Sequence, residues 1–141
     1  MYEYNCTIKR VVDGDTVDVD IDLGFSIILR NQRIRLHGID APESRTRDLV
    51  EKKYGLAAKK FLEIALTRTA CLCTHMYKDE RGKYGRILGD FVVYDVENDK
   101  WGSVNEMMVA RHLAVRYNGQ SKEDIAEEHI KNRELVSEEY L

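Results

Sequence analysis

The residues with the clearest chemical potential lie in one stretch, from Ile34 to Ser44, which reads I-R-L-H-G-I-D-A-P-E-S. Its first half alternates apolar and polar residues, so a strand would place Arg35 opposite its apolar neighbours. Two carboxylates, Asp40 and Glu43, then flank Pro42, the only proline in the sequence. Proline restricts the backbone around it, so this turn should be rigid. An arginine beside fixed carboxylates suits phosphate chemistry with a hard cation; the alternative is a capped loop with surface charges.

Two other stretches carry similar chemistry. The sequence D-G-D-T at 13–16 places carboxylates at a turn, and G-K-Y-G-R at 82–86 places two cations around a glycine-flanked aromatic. Turn aspartates are usually structural, and a charged hairpin tip is usually a solvated edge. The presence of all three stretches in one small domain nevertheless favours a shared site.

The histidines show no spacing that suggests a metal site. His37 would share a face with Arg35 and could touch a substrate, but we expect a surface histidine there. No ligand spacing connects His75, His112 and His129, so the same interpretation applies to them. The lone tryptophan, Trp101, is expected to pack rather than to stack on a base.

The hydrophobic pattern of the first half predicts three strands and a helix. Asp18, Asp20 and Asp22 alternate with apolar residues, which is typical of a half-exposed strand. Short turns on both sides of this strand indicate an antiparallel meander. The predicted elements are strands over 2–12, 17–23 and 27–39, a mobile polar loop over 44–53, and a helix over 54–69.

The second half predicts two more strands and two helices. Ser103 and Glu106 have the spacing of a capping box, and Ser121 with Asp124 indicates the start of a last, acidic helix. The predicted elements are strands over 71–77 and 86–96, a charged turn over 78–85, a further turn over 97–102, and helices that begin at Ser103 and Ser121.

This order of elements predicts an α+β, mainly β fold, namely a five-stranded OB-fold barrel with a helix between strands three and four and with C-terminal helices. The length of 141 residues indicates one domain over 1–141, with a core over about 2–118 and an acidic C-terminal helix over about 121–141. The predicted core consists of Val17, Val19, Ile21, Leu36, Ile39, Phe61, Leu62, Ala65, Leu88, Phe91, Val93 and Met107.

Charge and hydropathy exclude some functions. The net charge is −3, but residues 121–141 hold seven acidic and three basic residues, which leaves +1 for the first 120. A contact with nucleic acid should therefore be local and transient rather than a broad basic surface. No apolar run reaches the roughly 20 residues that would cross a bilayer, so we expect no membrane partner. The N-terminus lacks signal-peptide features, which predicts a cytoplasmic protein.

Four motifs in this order resemble the staphylococcal-nuclease-like, or thermonuclease, family. The resemblance extends from about residue 5 to residue 118, and the predicted strands fall between the motifs. The motifs are D-G-D-T at 13–16, R-L-H-G-I-D-A-P-E at 35–43, K-Y-G-R at 83–86 and V-N-E at 104–106.

The resemblance implies the barrel fold and a Ca²⁺-dependent nuclease. Members of this family cleave phosphodiesters in DNA and RNA and leave 3′-phosphate and 5′-hydroxyl ends. We expect one Ca²⁺ ion, with Mg²⁺ or another divalent cation as the alternative in the cell. The expected substrates are single-stranded or accessible regions, with no obligate protein partner. Two alternatives are a catalytically silent OB-fold module that binds nucleic acid or protein, and an interaction scaffold that uses the acidic C-terminal helix.

The resemblance also assigns roles by position. It implies that Asp15, Asp40 and the main-chain carbonyl of Ala41 hold the metal, and that Glu43 orients or deprotonates the attacking water. The remaining implied roles are phosphate binding by Arg35 and Arg86, contacts to the terminal phosphate by Lys83 and Tyr84, and packing near the base by Tyr117.

Overall fold

Eight strands and three α-helices are present in the computed structural model, which describes residues 2–67, 71–78 and 87–141. The strands are β1 (Tyr2–Asp13), β2 (Thr16–Gly24), β3 (Ile27–Leu36), β4 (Ile39–Asp40), β5 (Cys71–Lys78), β6 (Ile87–Asp95), β7 (Lys100–Ser103) and β8 (Val115–Arg116). The helices are α1 (Leu49–Ala65), α2 (Val104–Ala110) and α3 (Lys122–Leu135), followed by a 3₁₀ turn over Glu138–Tyr140.

Five of the strands form a closed barrel. The antiparallel order β3-β2-β1-β5-β6 is closed by a parallel pairing between β3 and β6. This pairing is short and joins Ile34–Leu36 to Ile87–Gly89. With α1 between the third and fourth barrel strands, this is the predicted OB-fold barrel, and the prediction of a mainly β fold is confirmed.

The barrel interior contains most of the predicted core. Nine of the twelve predicted residues are buried, and Phe61 and Ala65 pack against the core from partly buried positions. Leu88 is the error, because it lines a cleft at the barrel edge. On β6 the inward positions are odd-numbered, with Gly89, Phe91 and Val93 buried, so Leu88 faces the other way.

Helix α1 begins earlier than predicted. The side chain of Asp48 accepts hydrogen bonds from the main-chain N–H groups of Val50 (3.0 Å) and Glu51 (3.2 Å), and it therefore caps a helix that starts at Leu49. The predicted loop over 44–53 is thus wrong in its second half. The predicted helix end at residue 69 is also wrong, because α1 ends at Ala65.

Two short strands were not predicted separately. The predicted strand over 27–39 ends at Leu36, and Gly38, with φ of 77°, separates it from β4. The predicted turn over 97–102 includes the start of β7, which pairs with β6. The caps at Ser103 and Ser121 form as predicted, because each hydroxyl accepts a hydrogen bond from the N–H three residues later. None of the helices in the described residues is long and apolar enough to cross a membrane.

Two glycines allow close approaches between α1 and the loops that carry the acidic motifs. A Cβ atom on Gly14 would lie 2.8 Å from the Cβ atoms of both Ala41 and Ala58. A Cβ atom on Gly55 would lie 2.3 Å from the main-chain oxygen of Glu43. Because neither position has room for a methyl group, α1 and these loops are closely packed against each other.

We expect Gly55→Ala to lower the free energy of unfolding by about 1–3 kcal/mol, because the added methyl group would collide with the main chain of Glu43. Helix propensity alone predicts the opposite sign, since alanine is favoured over glycine inside a helix. Urea denaturation measures the difference. Lys60→Ala, at an exposed position of the same helix, is the control and should be nearly neutral. A Gly55→Ala protein that is more stable than the parent would contradict the close packing.

Candidate active site

The sequence predicts that three charged motifs meet at one site. Two of them, at 13–16 and 35–43, lie in the described part of the chain, and both line one cleft of about 1200 Å³. The third, at 82–86, lies outside the described residues. The β1–β2 turn, the segment from the end of β3 to α1, and the beginning of α3 line the cleft. Six of the nine predicted site residues lie in the described part of the chain, and all six line this cleft: Asp15, Arg35, Asp40, Ala41, Glu43 and Tyr117. The other three, Lys83, Tyr84 and Arg86, lie outside the described residues.

Arg35 connects the two carboxylates that were predicted to bind metal. Its Nη1 atom lies 3.6 Å from Oδ2 of Asp15, and its Nη2 atom lies 3.4 Å from Oδ1 of Asp40. Nη1 also donates hydrogen bonds to the main-chain oxygens of Leu36 (3.0 Å) and Ile39 (2.9 Å). With only 17% of its side chain exposed, Arg35 is fixed by this set of contacts. The two carboxylates therefore lie on the same guanidinium group.

Asp15 joins the β1–β2 turn to the loop that follows β4. Its Oδ2 atom accepts a hydrogen bond from the main-chain N–H of Ala41 (3.1 Å), and its Oδ1 atom accepts one from the Thr16 hydroxyl (3.1 Å). Burial raises the pKa of Asp15 above its usual range, while Arg35 and the Ala41 N–H act in the opposite direction. The Asp15 carboxyl is therefore mostly buried beside its partners, and its surroundings on balance disfavour the ionised form.

Glu43 faces the same group of acids. It is exposed as a residue, yet partial burial of its carboxyl and the charges of Asp13 and Asp15 raise the pKa of Glu43 to about 7. A hydrogen bond to Asp13 and the charge of Asp40 act in the same direction. A carboxylate with a pKa near neutrality can accept a proton from water at physiological pH, which an ordinary surface glutamate does poorly.

The sequence analysis missed the contribution of Asp13. This buried residue accepts hydrogen bonds from the Ser44 hydroxyl (2.7 Å) and the Gly14 N–H (3.0 Å), so it fixes the loop that carries Glu43. Asp13 belongs to the D-G-D-T motif, but only Asp15 received a role. Both aspartates of the turn line the cleft, and their position on either side of Gly14 was the available signal.

The sequence analysis also assigned His129 wrongly, as a surface histidine. Only 12% of its side chain is exposed, and its Nε2 atom lies 2.7 Å from Oδ2 of Asp40. The two residues are 89 positions apart, and no motif connects them. The available signal was helical spacing, because Lys122, Ile125 and His129 recur on one face of α3 and all line the cleft.

Tyr117 and His37 lie at the rim of the cleft. Tyr117 follows β8, and its main-chain N–H donates a hydrogen bond to the oxygen of Gly38 (2.8 Å). With 42% of its surface exposed, Tyr117 is accessible to a ligand in the cleft. His37 is exposed beside it, at the turn between β3 and β4. Both residues therefore line the cleft from exposed positions and do not belong to the core.

The donor atoms of the cleft fit a hard divalent cation. Asp15 and Asp40 supply carboxylate oxygens beside Arg35, and burial, followed by the charges of neighbouring carboxylates, raises the pKa values of Asp15 and Glu43. Within residues 2–67, 71–78 and 87–141, no three His, Cys, Asp or Glu side chains are arranged to hold an ion by themselves. Main-chain oxygens and water would have to complete the ligands, which is the way in which Ca²⁺ is commonly bound.

The chain matches a known protein family. A family model described as "Staphylococcal nuclease homologue" matches residues 33–138, which is more than half of the chain. The chain belongs to the staphylococcal nuclease family. The resemblance inferred from the sequence motifs is therefore confirmed.

Several proteins that are similar to this chain are named as nucleases. The chain is 35% identical over 81 residues to a thermonuclease of Staphylococcus intermedius, a match that covers 57% of this chain and 44% of that protein. It is 33% identical over 86 residues to a thermonuclease of Staphylococcus hyicus, covering 61% and 47%. It is 28% identical over 101 residues to endonuclease YhcR of Bacillus subtilis, covering 68% and 8%. The match thus spans less than half of each relative.

We expect Glu43→Gln to change how the stability of the metal-free protein depends on pH. The folded-state pKa of Glu43 is about 7, against 4.5 for an unperturbed glutamate. Between these values the folded protein binds more protons at this group than the unfolded chain does, so the group destabilises the fold progressively as the pH rises from 4.5 to 7. Glutamine cannot ionise, and the variant should lose less stability over this range.

Urea denaturation in EDTA at pH 5 and pH 8 measures this effect as the difference between the two proteins. Glu63→Gln, at an exposed position on α1, is the matched control and should follow the parent. If Glu43→Gln and the parent lose the same stability between the two pH values, Glu43 does not carry a raised pKa.

Proposed function

We propose that this protein is a Ca²⁺-dependent nuclease that hydrolyses phosphodiester bonds in DNA and RNA and leaves 3′-phosphate and 5′-hydroxyl ends. The observation that carries the proposal is the contact of Arg35 with both Asp15 and Asp40, in a cleft that also holds Glu43 with its raised pKa. Membership of the staphylococcal nuclease family and the names of its relatives support the same class of reaction.

Asp15, Asp40 and the main-chain carbonyl of Ala41 would hold the cation. When bound, a divalent cation supplies positive charge that offsets the charge of the phosphate and of the carboxylates around it. Ca²⁺ tolerates an irregular set of oxygen ligands, which suits two carboxylates, one carbonyl and water. Mg²⁺ requires a more regular octahedron, and it remains the alternative for the cell.

Glu43 acts as the general base in this proposal. A pKa of about 7 leaves a substantial share of Glu43 ionised at neutral pH, and the same value makes its carboxylate a better proton acceptor than an ordinary glutamate. Asp13 and Ser44 hold the loop that carries Glu43, since the Ser44 hydroxyl donates to Asp13. The water that loses its proton to Glu43 attacks phosphorus in line with the leaving 5′ oxygen. The bond between phosphorus and that oxygen breaks, and the oxygen takes a proton from solvent water to give the 5′-hydroxyl end.

Arg35 stabilises the charge that develops on the phosphate. A guanidinium carries five N–H groups, and the protein contacts described above use only Nη1 and Nη2. The remaining donor capacity suits a phosphate, which arginine binds with two parallel hydrogen bonds. We assign Arg86 to the same charge or to the leaving oxygen, and Lys83, Tyr84 and Tyr117 to contacts with the nucleotide.

We propose accessible, single-stranded or frayed nucleic acid as the substrate. The cleft combines carboxylates with Arg35, so an uncompensated polyanion would be repelled from its acidic side. The net charge of −3 likewise argues against a tight electrostatic grip on duplex DNA. A flexible strand can bring one phosphate to the cation and to Arg35 without a broad basic surface.

We expect Glu43→Gln to lower the rate of cleavage by about 10²–10⁴, because the amide cannot accept the proton of the attacking water. The assay follows digestion of single- and double-stranded DNA and of RNA in Ca²⁺, Mg²⁺ or EDTA, with end-labelling to identify the products. Glu63→Gln should cleave like the parent. Equal rates for Glu43→Gln and the parent would exclude Glu43 as the base.

The same assay separates the alternatives. Digestion that persists in EDTA would contradict the requirement for a cation. A parent protein that binds labelled strands without cutting them under any ion would favour the catalytically silent OB-fold module instead.

We expect Arg35→Lys to lower kcat/KM by about 10²–10³, a loss typical for one preorganised donor at a charged transition state. Lysine keeps the charge but cannot contact two carboxylates and two main-chain oxygens in fixed directions. Arg30→Lys is the matched control on the same strand, because Arg30 pairs with Asp20 (3.2 Å) and is not among the residues that line the cleft. If both substitutions reduce kcat/KM equally, the geometry of Arg35 is not what matters.

A further inference from the structure

Helix α3 contacts the cleft without contributing to the core. None of its residues is buried, although Val136, directly after its last turn, is. Two of its contacts with the rest of the chain are polar: His129 meets Asp40, and the Asn132 side chain donates a hydrogen bond to the main-chain oxygen of Ala114 (3.3 Å). Residues 129 and 132 are three apart, so both lie on the same face of the helix. Because α3 buries none of its own residues, we expect each of these contacts to contribute to its attachment.

The contact between His129 and Asp40 assigns the proton of the imidazole. An ionised carboxylate only accepts hydrogen bonds, so the Nε2 atom at 2.7 Å must be the donor. The other ring nitrogen, Nδ1, is buried and meets no hydrogen-bond partner in the described part of the chain. A buried donor without an acceptor would be costly, whereas a bare ring nitrogen is tolerated better. The geometry therefore places an N–H group at Nε2, aimed at Asp40.

With this N–H group, each of the two carboxylate oxygens of Asp40 has a side-chain contact. Oδ1 of Asp40 faces Arg35 Nη2 at 3.4 Å, and Oδ2 faces His129 Nε2 at 2.7 Å. The first contact comes from β3 and the second from α3, so two elements far apart in the sequence hold the carboxylate. Asp40 is 31% exposed on its side chain and would otherwise be free to rotate toward solvent.

We infer that His129 is a positioning residue for Asp40, and that it holds this carboxylate in the orientation that binds the divalent cation. The inference rests on the proposed function, because it assigns the cation to Asp40. Outer partners of metal ligands commonly fix the ligand in this way and are nearly as important as the ligand itself. Helix α3 is then part of the site.

The inference couples the attachment of α3 to the binding of the cation. If attached α3 favours the cation, thermodynamic reciprocity requires that the cation favours attached α3. The cation should therefore protect the amide hydrogens of α3 from exchange with solvent. A helix that merely covers the barrel would not respond to the cation in this way.

The test measures binding of CaCl₂ to the full chain by calorimetry, without nucleic acid. We expect His129→Ala to weaken Ca²⁺ binding about 10–100-fold, the usual cost of removing an outer partner of a metal ligand. His129→Gln keeps an N–H donor and should recover most of the affinity. Ile130→Ala changes a neighbouring residue that is 56% exposed, and it should bind like the parent.

A second variant separates positioning from simple attachment. Asn132→Ala removes the hydrogen bond to Ala114 but leaves the contact with Asp40 in place. We expect it to weaken Ca²⁺ binding much less than His129→Ala does. If Asn132→Ala weakens binding as much, and His129→Gln is no better than alanine, then His129 serves only to attach the helix and the inference is wrong.

Hydrogen exchange gives the second readout. Ca²⁺ should slow the exchange of α3 amides in the parent and in Ile130→Ala, and it should have little effect in His129→Ala. Suppose that the parent binds Ca²⁺ and cleaves nucleic acid, but His129→Ala binds Ca²⁺ as tightly as the parent or more tightly. This result overturns the present inference alone, since His129 would then be neutral or obstructive. A parent that shows neither Ca²⁺ binding nor cleavage overturns both this inference and the proposed function.

Discussion

The guanidinium of Arg35 holds Asp15 and Asp40 together, and the arrangement of the cleft depends on this ion pair. Two carboxylates at the edge of a small barrel repel each other and lose solvation, and a cation between them offsets both costs. Arg35 can do this because its own position is fixed by the main-chain oxygens of Leu36 and Ile39. A group fixed by main-chain atoms moves little when a ligand arrives, which is what preorganisation requires.

The scaffold contributes through close contacts rather than through extra charge. Gly14 lets the β1–β2 turn lie directly against Ala41 and Ala58, and Gly55 lets α1 lie against the main chain of Glu43. The hydrogen bond from Ser44 to Asp13 closes the same region from a third direction. Glu43 is therefore held by backbone packing, although its side chain reaches into an open cleft. This combination keeps the carboxyl accessible to water and fixed in place.

The sequence predicted those features that depend on local periodicity. Alternation along β2 correctly gave Val17, Val19 and Ile21 as inward, although Asp20 is buried too and Leu23 is exposed. The caps at Ser103 and Ser121 could be identified from spacing alone. The start of α1 could have been identified in the same way, because Asp48 and Glu51 have capping spacing. The first two helical residues, Leu49 and Val50, are exposed, however, and give no amphipathic signal there.

The features that were missed depend on contacts between distant segments. On β6, Ile87 and Leu88 are both apolar, and the inward phase is decided by Gly89, where a Cβ atom would lie 3.0 Å from Leu72. His129 reaches Asp40 only because α3 lies against the cleft; helical spacing places His129 on one face of α3 with Lys122 and Ile125, but it does not indicate what that face meets. Residue type and spacing thus identified the carboxylates and Arg35, while their neighbours became visible only in three dimensions.

The short parallel pairing of β3 with β6 closes the barrel beside the cleft. In the described part of the chain it joins Ile34–Leu36 to Ile87–Gly89, segments 53 residues apart, and Arg35 lies in the middle of it, opposite Leu88. Such a distant pairing forms at a high entropic cost and is secured by few hydrogen bonds. Arg35 is also paired with Thr16 on β2, so transient opening of the β3–β6 seam would leave one side of Arg35 unsupported and loosen the cleft there while the rest of the sheet stayed intact.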